Sequence, residues 1–437
     1  MNLIEQAKKD GIKYIQLQFT DIHGMVKAVN IPAERLKEAL EKGIWFDGSS
    51  IEGFTRIFES DMVLHPDVRT YAVLPWEDDR TARMICDVHT PDGKPFEGDP
   101  RHILKRAMVE AEKMGFEYNV GPELEFFLFK KTNGEYTPVP HDVAGYFDFS
   151  PRDLATGVRN EIVRALESMG LEVEMSHHEV AWGQHEIDFK YGNALLSADR
   201  CITFKHVVKS VAHKHELYAT FMPKPVFGIN GSGMHVHQSL FSGEKNMFYD
   251  AKDPYKLSKV ARHFVAGQLK NVRNMIAVLS PTVNSYKRLV PGYEAPVYIC
   301  WAQQNRSALV RIPRYSPGRE QSTRAELRCP DPSCNPYLAF ALMLTAGLDG
   351  IKNKLEPPAP VEENVYHLDE VGREKKHIAT LPGSLKEALD ELKKSTLFKA
   401  ALGEHTYSKY LDAKREEWND YALQVTEWEK KRYFEVI

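Results

Sequence analysis

Two glutamates, Glu123 and Glu125, stand two residues apart in Gly121-Pro122-Glu123-Leu124-Glu125, just ahead of the apolar run 126–129. In an extended chain, residues i and i+2 point to the same face. At about 6 Å in an effective dielectric near 20, two such carboxylates repel by roughly 3 kcal/mol. An edge strand open to water would tolerate the pair, but the phenylalanines that follow argue for burial. A divalent cation between the carboxylates turns the repulsion into attraction. The stretch 177–189 has the same character, with His177, His178, His185, Glu179, Glu186 and Asp188 close together. Glu186 and Asp188 share one strand face, Ile187 and Phe189 the other, and Trp182-Gly183-Gln184 reads as a turn after Glu179. Carboxylates beside apolar strand residues are expensive to bury without a positive partner.

His235 and His237 alternate with Val236 after Asn230-Gly231-Ser232-Gly233, so both project from one strand face, and Glu326 lies between Ala325 and Leu327. A lone strand histidine is more often a hydrogen-bonded core residue than a ligand. Oxygen ligands with one imidazole suit Mg²⁺ or Mn²⁺ better than Zn²⁺. Cys329 and Cys334 are too loosely spaced, with no second pair, to read as a metal site; buried thiols fit better. Between Arg288 and Arg328 the chain carries seven arginines and no lysine, although lysine is the commoner of the two overall. A solvated basic face would mix in lysine. Arginine alone points to planar, bidentate recognition of carboxylate or phosphate. Divalent ions with arginine clamps are what phosphoryl transfer requires. Neither a Walker A loop nor G-x-G-x-x-G is present, so a nucleotide would be held in another way.

The elements that must position these residues are legible in outline. Residues 14–19 and 25–31, joined by Asp21-Ile22-His23-Gly24, predict a hairpin. A helix over 33–42 closes at Gly43, and strand-like runs follow at 70–74 and 83–89. The stretch 91–100, with three prolines and two glycines, marks the domain boundary, giving residues 1–100 and 101–437. Beyond it come a helix over 101–114, a strand over 121–129, and a helix opened by Ser150-Pro151-Arg152-Asp153 and running to Gly170. A helix over 194–213, a strand pair around Phe221 and 234–240, and a helix over 254–279 complete the middle of the chain. The last third is mainly helical.

Composition bounds the class. With 437 residues, 43% hydrophobic and 27% charged, the chain suits a two-domain globular protein. A net charge of −4 argues against nucleic acid. Five cysteines without C-x-x-C suggest reduced thiols and a cytoplasmic setting. No signal peptide is visible, and the apolar run 337–348 is too short for a bilayer, so no membrane partner is expected.

With these residues in hand, the chain resembles the glutamine synthetases, specifically the shorter bacterial and archaeal class I form, over nearly its whole length. The markers are Asp47-Gly48-Ser49-Ser50, Gly121 to Glu125, His177-His178-Glu179 with Gly183 to Glu186, Asn230 to His237, Lys287 to Pro296, Asn305-Arg306-Ser307 and Glu326-Leu327-Arg328. The resemblance implies an α+β fold: a small N-terminal β-grasp-like domain, then a large catalytic α/β domain whose antiparallel sheet forms an active-site funnel. It implies ATP-dependent ligation of ammonia to L-glutamate through γ-glutamyl phosphate, with two or more Mg²⁺ or Mn²⁺ per site. One metal would be held by Glu125, Glu179 and Glu186, the other by Glu123, His235 and Glu326. Asn230, Gly231, Arg288, Arg306 and Arg328 match positions that hold glutamate, and Glu294 the flap acid that closes over it and helps deprotonate ammonium. Tyr191, His237, Ser239, Arg311 and Arg324 match ATP contacts. Asp47 matches a residue lent to the ammonium site of a neighbouring subunit, so the family pattern is a dodecamer of two hexameric rings.

Arg56 matches a position linked to glutamine feedback, and nitrogen-regulatory proteins are possible partners. Tyr366 aligns with the tyrosine that the longer subfamily adenylylates; the short spacing between Gly121 and Ser150 predicts that it stays unmodified here. Trp182 departs from the small residue or proline more usual in the turn. Gln321 stands where some relatives carry a phosphate-contacting lysine, for which Arg319 or Arg324 could substitute. The rival readings are a γ-glutamyl–amine (polyamine) ligase on the same scaffold and a non-catalytic relative. Asp47 with Glu294 favours ammonium over an amine, and intact ligands argue against a non-catalytic chain.

Overall fold

The strand Glu117–Thr132 alternates between two environments: Tyr118, Val120, Leu124, Phe126 and Leu128 point into the main apolar core, while Glu123 and Glu125 point to the opposite face. In the computed structural model, which describes residues 2–49, 51, 53, 61–77, 79–132, 135–292 and 295–437, this strand is the centre of the larger sheet. Met234–Ser242 pairs with it on one side and Gln184–Phe189 on the other, both antiparallel. Outward from these lie Ala325–Leu327, Ala308–Arg311 and Tyr298–Ala302 on the first side, and Val173–His178 on the second. The outermost pair on the first side, Tyr298–Ala302 with Ala308–Arg311, is parallel.

The apolar face packs on Ala194–Lys214, and behind it Lys259–Leu279 crosses Pro336–Lys352. That crossing is close because glycines stand at it: a Cβ on Gly267 would lie 2.1 Å from the Ala346 carbonyl oxygen. Asn335 caps the Pro336 helix through the Tyr337 amide, and also donates to the Asp21 carbonyl 3.1 Å away, tying the helix start to the N-terminal hairpin.

The N-terminal sheet runs Val26–Pro32, Tyr14–Thr20, Thr81–His89, Asp61–Pro66, Ile44–Asp47, with Tyr14–Thr20 parallel to Thr81–His89. It has its own core, Ile15, Leu17, Leu36, Leu64 and Met84 among others, and the helix Leu36–Lys42 ends at Gly43 with φ 73°. The expected hairpin is present; the expected strand over 70–74 shrinks to Ala72–Val73 behind a 3-10 turn, and Ile44–Asp47 and Asp61–Pro66 are additional.

Two other expectations need correction. The helix placed at Ser150 begins at Thr156, and Asp153 is instead buried against Arg159, 2.5 Å from Nη2, while accepting the Ala155 amide. The strand near Phe221 is Leu217–Thr220, and it does not pair with Met234–Ser242; each pairs with a different part of Glu117–Thr132. No helix among the described residues is long and apolar enough to cross a membrane.

Arg101, 2% exposed, joins the two halves: its guanidinium contacts Asp67 at 2.8 Å and Asp87 at 2.6 Å from the N-terminal sheet, and Asp199 at 2.9 Å from the Ala194–Lys214 helix. Tyr337 donates to the same Asp199 at 2.7 Å. Removing one member of a buried charge network strands the others without a partner. Arg101→Met is therefore expected to cost about 3–5 kcal/mol of unfolding free energy in a denaturant titration, chiefly from the stranding of Asp199, since Asp67 keeps Arg69 at 2.7 Å and Asp87 keeps Lys105. Lys105→Ala, whose charge is part-exposed, is expected to cost about 1 kcal/mol or less.

Candidate active site: the charged face of the central sheet

Register decides which side chains meet. Glu186 lies opposite Glu125 and Asp188 opposite Glu123 on one flank of the central strand. On the other flank His235 lies opposite Glu123, and beyond it His237 lies opposite Glu326, itself opposite Arg311. Directly opposed residues share a face. Five strands thus present one continuous polar face of carboxylates, imidazoles and a guanidinium.

The half around Glu123 balances its own charge. The Glu123 carboxylate lies 2.7 Å from His237 Nε2 and 3.6 Å from His235 Nδ1, and Glu326 lies 3.7 Å from His235 Nδ1. Arg311 pairs with Glu326, and Arg328 Nε lies 3.3 Å from it. Burial pushes Glu123 and Glu326 up, but the imidazoles, joined at Glu326 by the two guanidiniums, outweigh it and hold both below the usual carboxylate range.

The half around Glu125 does not balance. Burial, then the charges of Glu179 and Glu186, push Glu125 well above its ordinary value. Burial and the neighbouring Asp188, Glu123 and Glu179 do the same to Glu186. Asp188 is pushed up to about 7, by burial and Glu123. Glu125 Oε2 accepts from Gln184 Nε2 at 2.7 Å and from the Gly233 amide at 3.0 Å, which orients the carboxylate without neutralising it. Three buried oxygen-donor side chains lacking a matching positive charge fit a hard divalent cation, and the imidazole of His235 adds a nitrogen donor beside Glu123.

Two clefts open onto this face. Glu123, Tyr191, His237, Ser239, Arg319, Gln321 and Arg324 line one. Arg324 Nε donates to His237 Nδ1 at 3.0 Å. Gln321 is committed elsewhere, donating to the Glu244 carbonyl and accepting the Asn246 amide. Glu125, Glu179, Asn230, Gly231, His235, Arg288 and Arg328 line the other. A Cβ on Gly233 would lie 2.5 Å from Arg288 Nη2, so glycine lets that guanidinium approach, and Arg288 is fixed by the Cys329 carbonyl at 2.9 Å. Among the described residues Arg328 Nη1 is buried with no hydrogen-bond partner, which leaves a donor available to an anion.

Sequence and structure differ in how many of the expected residues converge. Arg311 sits beside Glu326 and does not line the Tyr191 cleft. Arg306 is exposed in the turn before Ala308–Arg311 and lines neither cleft. Asp47 is exposed at the end of Ile44–Asp47, on the edge strand of the N-terminal sheet. Arg56 and Glu294 lie outside the described residues. Trp182 is 51% exposed at the top of its turn, while Gly183 takes φ 66° against the Leu128 carbonyl, where a side chain would clash.

Sequence reasoning missed the loop over 141–155. Phe147 and Tyr146 stack at 4.0 Å and pack their edges against His177, at the rim of the charged face. Asp142 in the same loop reaches His178, 2.9 Å from Nε2. The other His178 nitrogen lies 2.6 Å from the Glu179 carbonyl, so both ring nitrogens face acceptors. No periodicity or spacing marks this loop, and only proximity reveals it.

Comparison with known proteins identifies the scaffold. The family model described as "Glutamine synthetase, catalytic domain" matches residues 97–433, and "Glutamine synthetase, beta-Grasp domain" matches residues 11–91. The chain belongs to the glutamine synthetase family. It is 56% identical to a glutamine synthetase of Methanosarcina mazei, covering 100% of this chain and 98% of that one. It is 55% identical to one from Thermotoga maritima, covering 98% and 97%. Among solved structures it is similar to one described as a GmaS/ADP complex, with TM-score 0.91, 33% identity and 99% of each chain covered. The β-grasp of the family model is the N-terminal sheet with its crossing helix, and the catalytic region holds the charged face.

The imbalance around Glu125 has a measurable consequence. Glu125→Gln keeps an oxygen for the Gly233 amide and removes one of the repelling charges. The metal-free variant is expected to melt about one degree above the wild type, equivalent to about 1 kcal/mol, while its gain in melting temperature on adding Mn²⁺ shrinks.

Proposed function

We propose that the charged face is where the chain carries out ATP-dependent synthesis of glutamine from glutamate and ammonia, through a γ-glutamyl phosphate. The chain is a glutamate–ammonia ligase of the glutamine synthetase family. The observation that carries the site assignment is the convergence of two clefts on adjacent same-face positions of one strand: Glu123 lines the cleft with Tyr191, and Glu125 lines the cleft with Arg288. ATP in the first and glutamate in the second would bring their reacting ends together over the carboxylates.

Glu125, Glu179 and Glu186 would hold one Mg²⁺ or Mn²⁺, and Glu123, His235 and Glu326 the other. When bound, such ions supply charge neutralisation and polarisation of the transferring phosphoryl group. The chain's own residues do the rest. A carboxylate is a poor electrophile until activated, so Arg288 and Arg328, with Asn230 and Gly231, hold the glutamate while its side chain takes the phosphoryl group. Arg324 and His237 bind phosphate oxygens, and Tyr191 and Ser239 line the nucleotide. Arg311 steadies Glu326 through their ion pair, and Arg306 would contact the glutamate and its phosphorylated intermediate. Ammonium must lose a proton to attack, and the carboxylates of Asp47, lent by a neighbouring subunit, and Glu294 would attract the cation and take that proton. Closure over the site keeps water from the acyl phosphate.

Asp47, exposed on an edge strand, supports a site completed by a neighbouring subunit in a double-ring dodecamer. Five buried cysteines with no disulfide support a cytoplasmic setting. Tyr366, whose hydroxyl donates to the Ala295 carbonyl, fits an unmodified residue.

ADP release from ATP and glutamate is expected to require ammonium, and a polyamine is expected not to replace it; turnover with the polyamine alone would contradict the assignment. Arg324→Ala is expected to raise KM for ATP about tenfold or more, the loss of one charge-assisted hydrogen bond, and to leave KM for glutamate near the wild-type value.

A further inference from the structure

Beneath the charged face, on the other side of the Gln184–Phe189 strand, lies a second cluster of titratable groups that the proposed reaction does not use: Asp142, His178, His185, Arg159 and Asp153. Asp142 and His178 are 5% and 0% exposed. One oxygen of Asp142 accepts two hydrogen bonds, from His178 Nε2 at 2.9 Å and from the Gly183 amide at 3.1 Å. Its other oxygen accepts the Leu154 amide at 3.1 Å. His178 and Gly183 stand at the two ends of the turn that carries Glu179, and Gln184 follows immediately. His178 grips the Glu179 carbonyl at 2.6 Å, and Gln184 Nε2 reaches Glu125 at 2.7 Å. One carboxylate therefore pins both feet of the turn. From those feet the connections run to Glu179 on one side and Glu125 on the other.

We propose that Asp142 is a positioning residue for the Glu125, Glu179 and Glu186 carboxylates, clamping the Glu179–Gln184 turn so that these oxygens hold one geometry despite their mutual repulsion. This rests on the reading of those three carboxylates as metal ligands. Three acids that repel one another spread apart unless their backbones are fixed, and half-buried Glu179 stands in the turn past the last paired residues His178 and His185, closed by its own amide on the Gln184 carbonyl at 2.8 Å. The Asp142, His178 and His185 donors lie close enough together to suggest a metal site of their own. Two observations exclude it. Arg159 Nη1 donates to His185 Nδ1 at 3.0 Å, which leaves the neutral ring's proton on Nε2 and no nitrogen lone pair for a cation, and Asp142 already spends one oxygen on two donors.

The clamp leaves the Tyr191 cleft untouched, because among the described residues none that lines it hydrogen-bonds Asp142. That separation gives the test. Asp142→Asn preserves shape and one acceptor oxygen while removing the charge. Mn²⁺ binding, counted by electron paramagnetic resonance of the free ion, is expected to weaken about tenfold to a hundredfold for one class of site. ADP affinity and KM for ATP stay at the wild-type value, and kcat falls at least tenfold. Trp182, in the clamped turn, reports independently: its fluorescence, isolated by subtracting a Trp182→Phe protein, becomes more accessible to acrylamide in the variant without metal. Wild-type Mn²⁺ affinity and wild-type Trp182 quenching in Asp142→Asn would overturn the inference alone. A parallel loss of Mn²⁺, ADP and thermal stability would also overturn it, showing a general structural role. A wild-type protein that binds no Mn²⁺ would overturn the metal assignment first and this inference with it.

Discussion

A slip of one residue between Glu117–Thr132 and either neighbour would bring Glu123 and Glu125 out of line with Asp188, Glu186 and His235, and a one-residue flip would send Leu124 and Phe126 to the polar side. The apolar face, packed on the Ala194–Lys214 helix, forbids the flip, because it would expose several large side chains at about 1.5–3 kcal/mol each. The core thus sets the register, and the register assembles the site. Charged side chains drawn from five strands share one face because core side chains share the other.

That arrangement also explains the uneven electrostatics of the face. Where the sheet continues through His237, Glu326 and Arg311, each carboxylate has an imidazole or guanidinium across from it, and the acids stay below their usual range. Towards Gln184–Phe189, each acid faces another acid, and Glu125, Glu186 and Asp188 are pushed up. The structure stores an unfavourable cluster that an added cation relieves, a use of folding energy expected at functional sites. His177, close to Glu186 and Glu179 at 3.5 and 3.7 Å, is the one imidazole at that edge.

Much of this was legible in the sequence, and the gaps have physical causes. The i, i+2 spacing of Glu123 with Glu125, Glu186 with Asp188, and His235 with His237 assigns each pair to a strand face without any structure. The arginine-only window points to anion recognition, and Arg288 and Arg328 line one cleft. Which strands are neighbours is a long-range matter that no local pattern encodes, so the pairing of Leu217–Thr220 with the central strand went unread. The Ser-Pro-Arg-Asp sequence carries every local sign of a helix start, yet Asp153 is drawn into a buried ion pair with Arg159 and the helix begins later, tertiary structure overriding local preference. Asp142 was invisible for a similar reason: its partners lie some 36 and 41 residues away in sequence, and nothing about the loop distinguishes it from a surface connection.

The central claim is that a core-set register lines up two cation sites on one face of the sheet. Anomalous diffraction at the manganese edge from crystals grown with Mn²⁺ tests it most directly. The account predicts two peaks, one among Glu125, Glu179 and Glu186 and one among Glu123, His235 and Glu326. Peaks on the buried Asp142, His178 and His185 cluster, or none on the charged face, would contradict it.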